Sequence, residues 1–530
     1  MQQKKTKAIF FSPFSFIWPH ALAEYQLATL LSYKDIDVTV VGCDRSYSGF
    51  CTSMEAARLT IDATAEEKAG ICRRCIRNRE LLRGNFKNVT FRLIESYHDV
   101  PDDDIECPQE TDAILRYEKD GILLGRLALY ETLIKFKKNN MNLTALERRY
   151  FELSFRNSLK VLKQADVAIS IEKPDVIVCY SPQYVIPGIF SAVAKRENIR
   201  VIFIEGSSND IERYSHLRMW DWEIHGLSQP ALAVTERFDA YKLTKDGERR
   251  AEKLIEVRAN ATAFSAYTSV STNASPYDVF GLDKSRKYIL MAMSSYDEVY
   301  SGYIIGKLPL SRFEGQVFKD QIEWLKATIK WFAEHPELQL VIRPHPREFP
   351  NRRESISSPH WREWSGVLQD LPDNVKIDHP DLKFSLYDHL SHASVVITGW
   401  SSAAIEALSK GIPVVTYDEK LPTFPASMQY TGSTVEEYFK NILKAYASAQ
   451  PDYFKSEAKR WLAYTSEVGT VRIGGRIDDR FPVLKKIKAR RYLTEPFCRY
   501  LDMKLSPSQT DIKRIISLVL GEGTSLFDLP

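Results

Sequence analysis

Short apolar runs that alternate with helical patterns are the feature that most constrains the fold of this chain. The runs of the first half are "KAIFFS", "VTVVGCD", "DVIVCYSP" and "RVIFIEGSS", and those of the second half are "YILMAMSS", "LQLVIRPHP", "SVVITG" and "IPVVTYD". Each run has the length of a strand, and segments of helical period separate many of the successive runs. Two parallel strands joined by a helix make a βαβ unit. The sequence therefore predicts an α/β protein.

At 530 residues the chain is too long for one hydrophobic core. The composition turns polar and gains Gly and Pro at "STNASPYDVFGLDKSRK", which is typical of a domain junction. We predict two Rossmann-like domains facing a cleft, over residues 1–270 and 285–475, followed by a helical tail over 476–530. The first domain would include a cysteine-bearing insertion. Residues 77–141 follow no regular pattern.

Charge and hydropathy exclude two classes of partner. The net charge is only +3, so the chain lacks the strong positive field of a nucleic-acid-binding protein. No apolar run approaches the roughly 20 residues that span a bilayer. The basic and apolar N-terminus imitates a secretory signal, but Pro13, Pro19 and His20 interrupt it, and the following residues continue as helix and strand. These features predict a cytoplasmic protein that binds no nucleic acid.

The chain has seven cysteines, an odd number in a large chain, which does not resemble a disulfide scaffold. Four of the seven lie near one another in the sequence. They are Cys43, Cys51, Cys72 and Cys75, and the last two form "CRRC". Four thiolates can complete a tetrahedral zinc site or hold an iron–sulfur cluster. Two interpretations stay open, a structural zinc or iron–sulfur cluster and a set of four reduced thiols.

The stretch "VIRPHPRE" ends an apolar strand with two prolines and three side chains that can carry positive charge. In open α/β sheets ligands bind at the carboxyl ends of strands. Arg343, His345 and Arg347 could each point a donor at an anion, and the prolines would stiffen the turn that carries them. The alternative is a strand-ending turn whose arginines are solvated or paired with Glu348.

A second group of polar residues follows the next strands, in "ITGWSSAAIEALSKGIPVV". Ser401 and Ser402 stand where a strand passes into a helix, a position that suits a phosphate group. Glu406 lies one turn after Ser402 and could hold two ribose hydroxyls. The alternative is that Ser402 only caps the helix and Glu406 is solvated. Together the two groups predict a nucleotide site.

These residues resemble the donor-binding half of GT-B glycosyltransferases. "RPHP" followed by "SS..IEAL..GIPVV" is nearest to the bacterial capsule and surface-polysaccharide enzymes, a group that includes Kdo transferases, and is similar to sialyltransferases with His-Pro and Ser-Ser motifs. Teichoic-acid glycerophosphotransferases share a related pattern. The resemblance covers mainly residues 285–420. It implies that residues 285–475 form the nucleotide-sugar donor domain and residues 1–270 the acceptor-side domain.

The resemblance assigns the site residues. It implies that Arg343, His345, Ser401 and Ser402 contact the donor phosphate and that Glu406 holds the ribose. In the His-Pro families the donor is often a CMP-sugar and the transfer is usually inverting and needs no metal for catalysis. UDP-, GDP- and CDP-linked donors stay open. Because the acceptors of such enzymes are often lipid-linked glycans, peripheral contact with the inner membrane is a further hypothesis.

An inverting transfer needs a base that takes the proton of the acceptor hydroxyl. Glu205 ends a strand, and its Glu-Gly resembles the acidic-Gly motif of the His-Pro sialyltransferases, although only one acidic residue precedes this glycine. Asp210 is the second candidate. The alternative for Glu205 is a structural carboxylate at a strand end.

Three aromatic or imidazole side chains are candidates for binding the acceptor. Trp220 and Trp222 stand among acidic residues in "RMWDWEIHG", where indole faces could stack on a sugar. Aromatic residues at this spacing also fit a hydrophobic core. His20, near Glu24, follows the first strand and could line the cleft.

Other functions share these motifs. A nucleotide-sugar epimerase would bind its substrate at a similar site without an acceptor, and a teichoic-acid-type glycerophosphotransferase would use a related donor. A non-catalytic polysaccharide-assembly subunit would keep the fold as a scaffold. The complete set of motif residues favours an enzyme.

Overall fold

The computed structural model describes residues 5–98, 105–222, 229–232, 234–262, 267–308, 317–351, 355–418, 423–448, 450–474, 499 and 502–529. None of the helices in these ranges has both the length and the apolar character needed to cross a bilayer.

The strands of the described residues are short and mostly buried. They are β1 (Lys7–Ser12), β2 (Asp37–Gly42), β3 (Thr90–Leu93), β4 (Val176–Tyr180), β5 (Arg200–Gly206), β6 (His216–Asp221), β7 (Tyr288–Ala292), β8 (Gln339–Arg343), β9 (Val375–Ile377), β10 (Val395–Thr398), β11 (Val414–Thr416), β12 (Tyr430–Thr431) and β13 (Val471–Arg472). All eight apolar runs of the sequence form strands, as predicted.

The helices lie mainly between these strands. They are α1 (Trp18–Ser32), α2 (Thr52–Ala56), α3 (Ala65–Asn85), α4 (Thr111–Arg116), α5 (Leu124–Ala128), α6 (Tyr130–Lys135), α7 (Ala145–Glu172), α8 (Val185–Arg196), α9 (Gln229–Leu232), α10 (Thr235–Ala240), α11 (Lys245–Ala259), α12 (Pro276–Phe280), α13 (Asp297–Ile304), α14 (Gln321–Ala333), α15 (Pro359–Ser365), α16 (Leu386–Leu390), α17 (Ala403–Ser409), α18 (Val435–Tyr446), α19 (Pro451–Glu467) and α20 (Gln509–Leu520). Side-chain caps define where several begin. The long helix α7, for example, starts with a capping box in which Thr144 and Glu147 bond each other's backbone N–H groups.

The chain divides into two compact units. The first unit comprises Met1–Thr132, Met141–Gly226 and Glu467–Pro530, and the second comprises Leu133–Asn140 and Leu227–Ser466. Each unit contains one sheet of Rossmann-like order, which confirms the predicted fold class of two Rossmann-like α/β domains.

The sheet of the first unit has the strand order β13-β6-β5-β4-β1-β2-β3. The strands β5, β4, β1, β2 and β3 are parallel, whereas β6 and β13 are added antiparallel at one edge. Phe10, Val40 and Val178 lie side by side on these strands and are fully buried. They pack with residues of α1 in one hydrophobic core.

The sheet of the second unit is entirely parallel, in the order β12-β11-β10-β7-β8-β9. Ile289, Ile342 and Ile397 of its central strands are fully buried against Trp324 and Phe332 of α14. Burial on both faces explains why these strands read as continuous apolar runs.

The unit boundaries differ from the predicted domain boundaries. Residues 227–270 were predicted to belong to the first domain, but they are part of the second unit. Leu133–Asn140, within the stretch that follows no regular pattern, is also part of the second unit. In that segment the Lys137 ammonium group is fully buried and donates to the carbonyl oxygens of Phe349 (3.0 Å) and Ile356 (2.6 Å). These contacts join residues more than 200 positions apart.

The described part of the predicted helical tail over 476–530 packs in the first unit. Of this range the structure describes residue 499 and residues 502–529. Ile515 and Leu518 of α20 are fully buried in the core of the first unit. The helix presents one apolar face, and that face needs a core to cover it.

Candidate functional site

A pocket opens at the carboxyl edge of the second sheet. It is bordered by Ala292 and Met293 at the end of β7, by the turn after β8, and by the residues that follow β10. The strands β7 and β10 are neighbours in the sheet although β8 and β9 come between them in sequence. This is the topological switch point, where open α/β sheets bind their ligands.

The pocket brings together most of the predicted donor-binding residues. Five of the six predicted residues line it, and these are Arg343, His345, Ser401, Ser402 and Glu406. The sixth, Arg347, is buried beside α13. The two sequence motifs therefore line one pocket, and several of their side chains have partners within the protein that the sequence did not indicate.

His345 enters the pocket as a neutral donor. It stands before a short 3₁₀ turn, Pro346–Glu348, and its Nδ1 accepts a hydrogen bond from the backbone N–H of Arg347 at 3.2 Å. Because Nδ1 is an acceptor, the ring proton of the neutral imidazole lies on Nε2. Burial lowers the pKa of His345 to about 4, and the nearby Arg347, Arg343 and Lys137 act in the same direction against Glu348. At neutral pH the side chain offers an N–H group and no charge.

Arg343 was predicted to contact phosphate, but it is held in a buried ion pair. Its guanidinium group donates to the carboxylate of Asp378, and its Nη1 also donates to the carbonyl oxygen of Phe384 at 3.1 Å. The Arg343 side chain is 10% exposed and that of Asp378 is 1% exposed. Nε2 of His389 lies 3.1 Å from the same Asp378 oxygen. The charge of Arg343 is therefore neutralised inside the protein.

Arg347 is also neutralised. Its Nη2 and Nε donate to the two oxygens of Asp297, at 2.8 Å and 3.2 Å, in a forked ion pair whose side chains are 6% and 2% exposed. This geometry ties the turn after β8 to the first residue of α13. Each of the two arginines of "VIRPHPRE" thus has a carboxylate partner that is distant in sequence, which the interpretation of this turn as a cluster of three cations facing an anion did not include.

The two serines border the pocket at the residues that follow β10. Ser401 is half-buried, and its Oγ accepts a hydrogen bond from the Ala403 N–H at 3.3 Å. Ser402 is exposed and makes no side-chain capping bond. The alternative in which Ser402 acts only as a helix cap is therefore not observed.

Glu406 lines the pocket next to a tyrosine that the sequence did not indicate. The Tyr387 hydroxyl, at the start of α16, donates to Oε2 of Glu406. This bond fixes the orientation of a half-buried carboxylate, which suits the predicted role of holding hydroxyl groups.

Several lining residues were not identified from the sequence, among them Arg258, Tyr267 and Tyr387. Arg258 and Tyr267 precede the second sheet and were assigned to the first domain, and Tyr387 lies in an unremarkable helix. The Tyr267 ring meets the His345 ring edge-on, with centroids 5.7 Å apart. No local motif could have found these residues, because they reach the pocket only through the packing of their elements.

The predicted catalytic residues lie in the first unit. Glu205 is the penultimate residue of β5, and its Oε2 accepts from Nη2 of Arg218 at 2.6 Å. The two residues face each other across the antiparallel β5–β6 pair. Asp210 is half-buried in the turn after β5. Glu205 is therefore an ion-paired carboxylate at the carboxyl end of a strand.

His20 and Glu24 lie at the switch point of the first sheet, between β1 and β4. The His20 ring stacks on Tyr180 with centroids 3.9 Å apart, and burial lowers the pKa of His20 to about 3, with Arg213 acting in the same direction. Ser12 Oγ donates to Glu24 at 2.5 Å. Burial raises the pKa of Glu24 to about 8.

The buried carboxyl group of Glu24 predicts a pH dependence of stability. Because the folded chain keeps the Glu24 proton up to pH about 8 whereas the unfolded chain loses it near 4.5, stability falls as the pH rises through this window. Glu24→Gln is expected to raise the free energy of unfolding at pH 8 by about 2–4 kcal/mol and to leave it nearly unchanged at pH 4.5. Urea denaturation at several pH values measures the difference.

Glu66→Gln is the matched control, because it makes the same substitution at a carboxylate that is exposed at the start of α3. Burial also raises the pKa of Glu131 to about 8, so part of the pH dependence should remain in the Glu24 variant. An unchanged difference in stability between pH 4.5 and pH 8 in Glu24→Gln would contradict the assignment.

The two tryptophans differ in exposure. Trp220 on β6 is 2% exposed, with its ring centroid 6.2 Å from that of Phe203. Trp222 is half-buried, 5.6 Å from the same ring. Trp220 thus belongs to the core, the alternative that its spacing left open, and it presents almost no surface to an acceptor.

The four clustered cysteines line one pocket of the first unit. Cys72 and Cys75 lie within α3 and not in a turn, and burial raises the pKa of all four thiols. Thiolates are the form that binds metals. Over the ranges that the structure describes, no three or more His, Cys, Asp or Glu side chains are arranged to hold a metal ion. The cysteines are neighbours, as their spacing predicted, but they do not form a ligand set.

No family model matches the chain, and no curated protein matches it. Solved structures give distant likenesses. Thermosulfurimonas dismutans KpsC, a beta Kdo 2,4 transferase, is 12% identical with a TM-score of 0.34, covering 65% of this chain and 88% of that chain. S. aureus MnaA, solved with UDP, is 12% identical with a TM-score of 0.26, covering 86% and 91%.

The calicheamicin glycosyltransferase CalG4 is 12% identical with a TM-score of 0.25, covering 88% of this chain and 97% of that chain. Likeness at this level is weaker than a shared fold requires. The assignment of function therefore has to come from the pocket itself.

Proposed function

We propose that the second unit binds a nucleotide-sugar and that the protein is a glycosyltransferase. The observation that carries the proposal is the pocket at the switch point between β7 and β10, where His345, Ser401, Ser402 and Glu406 meet. A neutral N–H donor and two hydroxyl groups suit a phosphate, and a carboxylate held by Tyr387 suits the two hydroxyls of a ribose.

The charges of the pocket favour a donor with one phosphate. Arg343 lines the pocket but is neutralised by Asp378, and His345 is uncharged at neutral pH. Arg258 also lines the pocket, together with the Glu406 carboxylate. Placing two phosphate charges here would cost more electrostatic free energy than placing one. A nucleoside monophosphate sugar, such as a CMP-linked one, therefore fits better than a diphosphate.

In the proposed reaction an acceptor hydroxyl attacks the anomeric carbon of the donor sugar. The new bond forms as the bond between the anomeric carbon and the phosphate oxygen breaks, and the nucleotide leaves with its phosphate group, as CMP for a CMP-linked donor. Glu205 is proposed to take the proton of the hydroxyl, with Asp210 as the second candidate. The acceptor would be a growing surface glycan or a lipid-linked one, and the single displacement inverts the anomeric centre.

Nucleotide binding tests the donor site. Calorimetry with CMP, CDP, UDP and GDP is expected to show that CMP binds most tightly, with or without EDTA. His345→Ala is expected to weaken that binding about tenfold or more, because it removes an N–H donor that faces phosphate in a half-buried pocket. His335→Ala is the control, since His335 precedes β8 at the opposite edge of the same sheet.

Several outcomes would contradict the proposal. Wild-type protein that is folded but binds no nucleotide would rule out the donor site. Equal affinity of wild type and His345→Ala would remove His345 from it, and preference for a diphosphate nucleotide would overturn the argument from charge. An epimerase is distinguished by turnover of the nucleotide-sugar without any acceptor.

A further inference from the structure

We propose that Asp378 determines how many phosphate groups the pocket accepts, because its carboxylate neutralises Arg343. The inference rests on the proposed nucleotide site and adds a specificity-determining residue to it. Arg343 lines the pocket, whereas Asp378 is not among the described residues that line it. With the Asp378 charge in place the pocket suits a nucleoside monophosphate, and loss of that charge shifts its preference towards a diphosphate.

The ion pair joins the carboxyl ends of two neighbouring strands. Arg343 is the last residue of β8, and Asp378 directly follows β9, where its backbone N–H donates to the carbonyl oxygen of Ile342 at 2.8 Å. The Arg343 guanidinium group donates to Oδ2 of Asp378 and, at 3.1 Å, to the carbonyl oxygen of Phe384. The positive charge is thus held at the wall of the pocket, and the negative charge is fully buried beside it.

The Asp378 carboxylate contributes charge more than hydrogen bonding. Its two side-chain contacts use one oxygen, since Oδ2 accepts from Arg343 and lies 3.1 Å from Nε2 of His389. Oδ1 is buried and has no hydrogen-bond partner in the part of the chain that the structure describes. A buried polar atom without a partner costs free energy. An asparagine could accept the same bonds with its single oxygen, so the carboxylate adds mainly a negative charge beside Arg343.

The neighbouring His389 does not change this balance of charge. Its ring is fully buried, with its centroid 5.4 Å from that of Phe280 and 4.7 Å from that of Phe384. Burial lowers the pKa of His389, so the imidazole is neutral at neutral pH. Charges in such apolar surroundings are screened less than charges in water. The net charge that Arg343 and Asp378 together bring to the pocket is therefore close to zero.

Loss of the Asp378 charge leaves the positive charge of Arg343 beside the ligand. CDP has one phosphate group more than CMP and carries more negative charge, so it gains more from an additional positive charge. Asp378 therefore influences the choice between the two nucleotides through Arg343, without touching either of them.

Calorimetry with CMP, CDP and cytidine tests the inference on the full chain. In Asp378→Asn both nucleotides are expected to bind more tightly than in wild type, and the affinity for CMP relative to that for CDP should fall about three- to tenfold. Cytidine has no phosphate, so its affinity should stay within about twofold of that of wild type. Asp378→Glu keeps the charge and should return the ratio towards the wild-type value. A purely structural role of Asp378 would weaken all three ligands together and leave the ratio unchanged.

Asp381→Asn is the matched control, because it makes the same substitution at an exposed carboxylate beside His379, three residues further along the chain. Urea denaturation shows whether Asp378→Asn is folded. If it is not, Arg343→Gln takes over the test, since it leaves the Asp378 charge in place and should move the ratio the other way, towards CMP.

An unchanged ratio in folded Asp378→Asn overturns the inference and leaves the nucleotide site intact, and so does a shift of Arg343→Gln towards CDP or no shift at all. Wild-type protein that is folded but binds neither CMP nor CDP overturns both the inference and the nucleotide site.

Discussion

Arg343→Ala is expected to destabilise the second unit by about 3–5 kcal/mol, a larger effect than the loss of one ligand contact would have. The substitution leaves the carboxylate of Asp378, whose side chain is 1% exposed, without its cationic partner. In this variant Nε2 of His389 still lies beside the Asp378 carboxylate. Burial lowers the pKa of the His389 imidazole, so this side chain is a poor source of compensating positive charge. Urea denaturation followed by tryptophan fluorescence measures the loss.

Two further variants define the cause. Arg286→Ala removes an arginine whose partner Asp283 is exposed, and it should cost less than about 1 kcal/mol. The double variant Arg343→Met, Asp378→Leu removes both buried charges and should be more stable than Arg343→Ala alone. If Arg343→Ala keeps wild-type stability and loses only nucleotide affinity, Arg343 is a ligand-binding residue, as its motif implies, and the structural role assigned to it is wrong.

Lys137→Met is expected to destabilise the second unit by about 2–4 kcal/mol, even though methionine keeps most of the apolar stem. The Lys137 side chain is fully buried, and its ammonium group donates to the carbonyl oxygens of Phe349 and Ile356. Methionine cannot donate, so the buried Phe349 oxygen and the half-buried Ile356 oxygen both lose a partner. The contact also holds Leu133–Asn140 on the second unit, and its loss should increase cleavage in this segment during limited proteolysis.

Lys330→Ala is the control for Lys137→Met, since Lys330 is an exposed residue of α14 in the same unit, and it should change stability by less than about 0.5 kcal/mol. Thermal unfolding of the three proteins in parallel gives the comparison. Equal transition temperatures for wild type and Lys137→Met would show that the buried ammonium group contributes nothing to the stability of the unit.

The positions of the strands along the chain could be predicted because the sequence signals of a strand are local. Strands such as Tyr288–Ala292 and Val395–Thr398 are runs of buried apolar residues bounded by polar ones, and a few neighbouring residues suffice to recognise them. That His345 and Ser401 line one pocket could be predicted from the same pattern, because the carboxyl ends of parallel strands lie at one edge of a sheet.

The boundaries of the two units could not be predicted in this way, because they depend on contacts between residues that are distant in sequence. Leu133–Asn140 is a short segment of the second unit, and the residues that Lys137 of this segment contacts lie more than 200 positions away in sequence. Helix α20 belongs to the first unit because its apolar face is buried in that core. Neither segment carries a motif that indicates the unit to which it belongs, so the domain boundaries predicted from the sequence differ from the boundaries of the two units.

The sequence by itself determined which elements form and which strand ends carry polar side chains, since periodicity and strand-end position depend on neighbouring residues. Only the tertiary structure decided which charges face the pocket. Arg343 and Arg347 are neutralised by carboxylates 35 and 50 positions away. Arg258 reaches the pocket from a helix that precedes the sheet. The electrostatics of a site depend on distances in space, and residues distant in sequence set those distances only when the chain has folded.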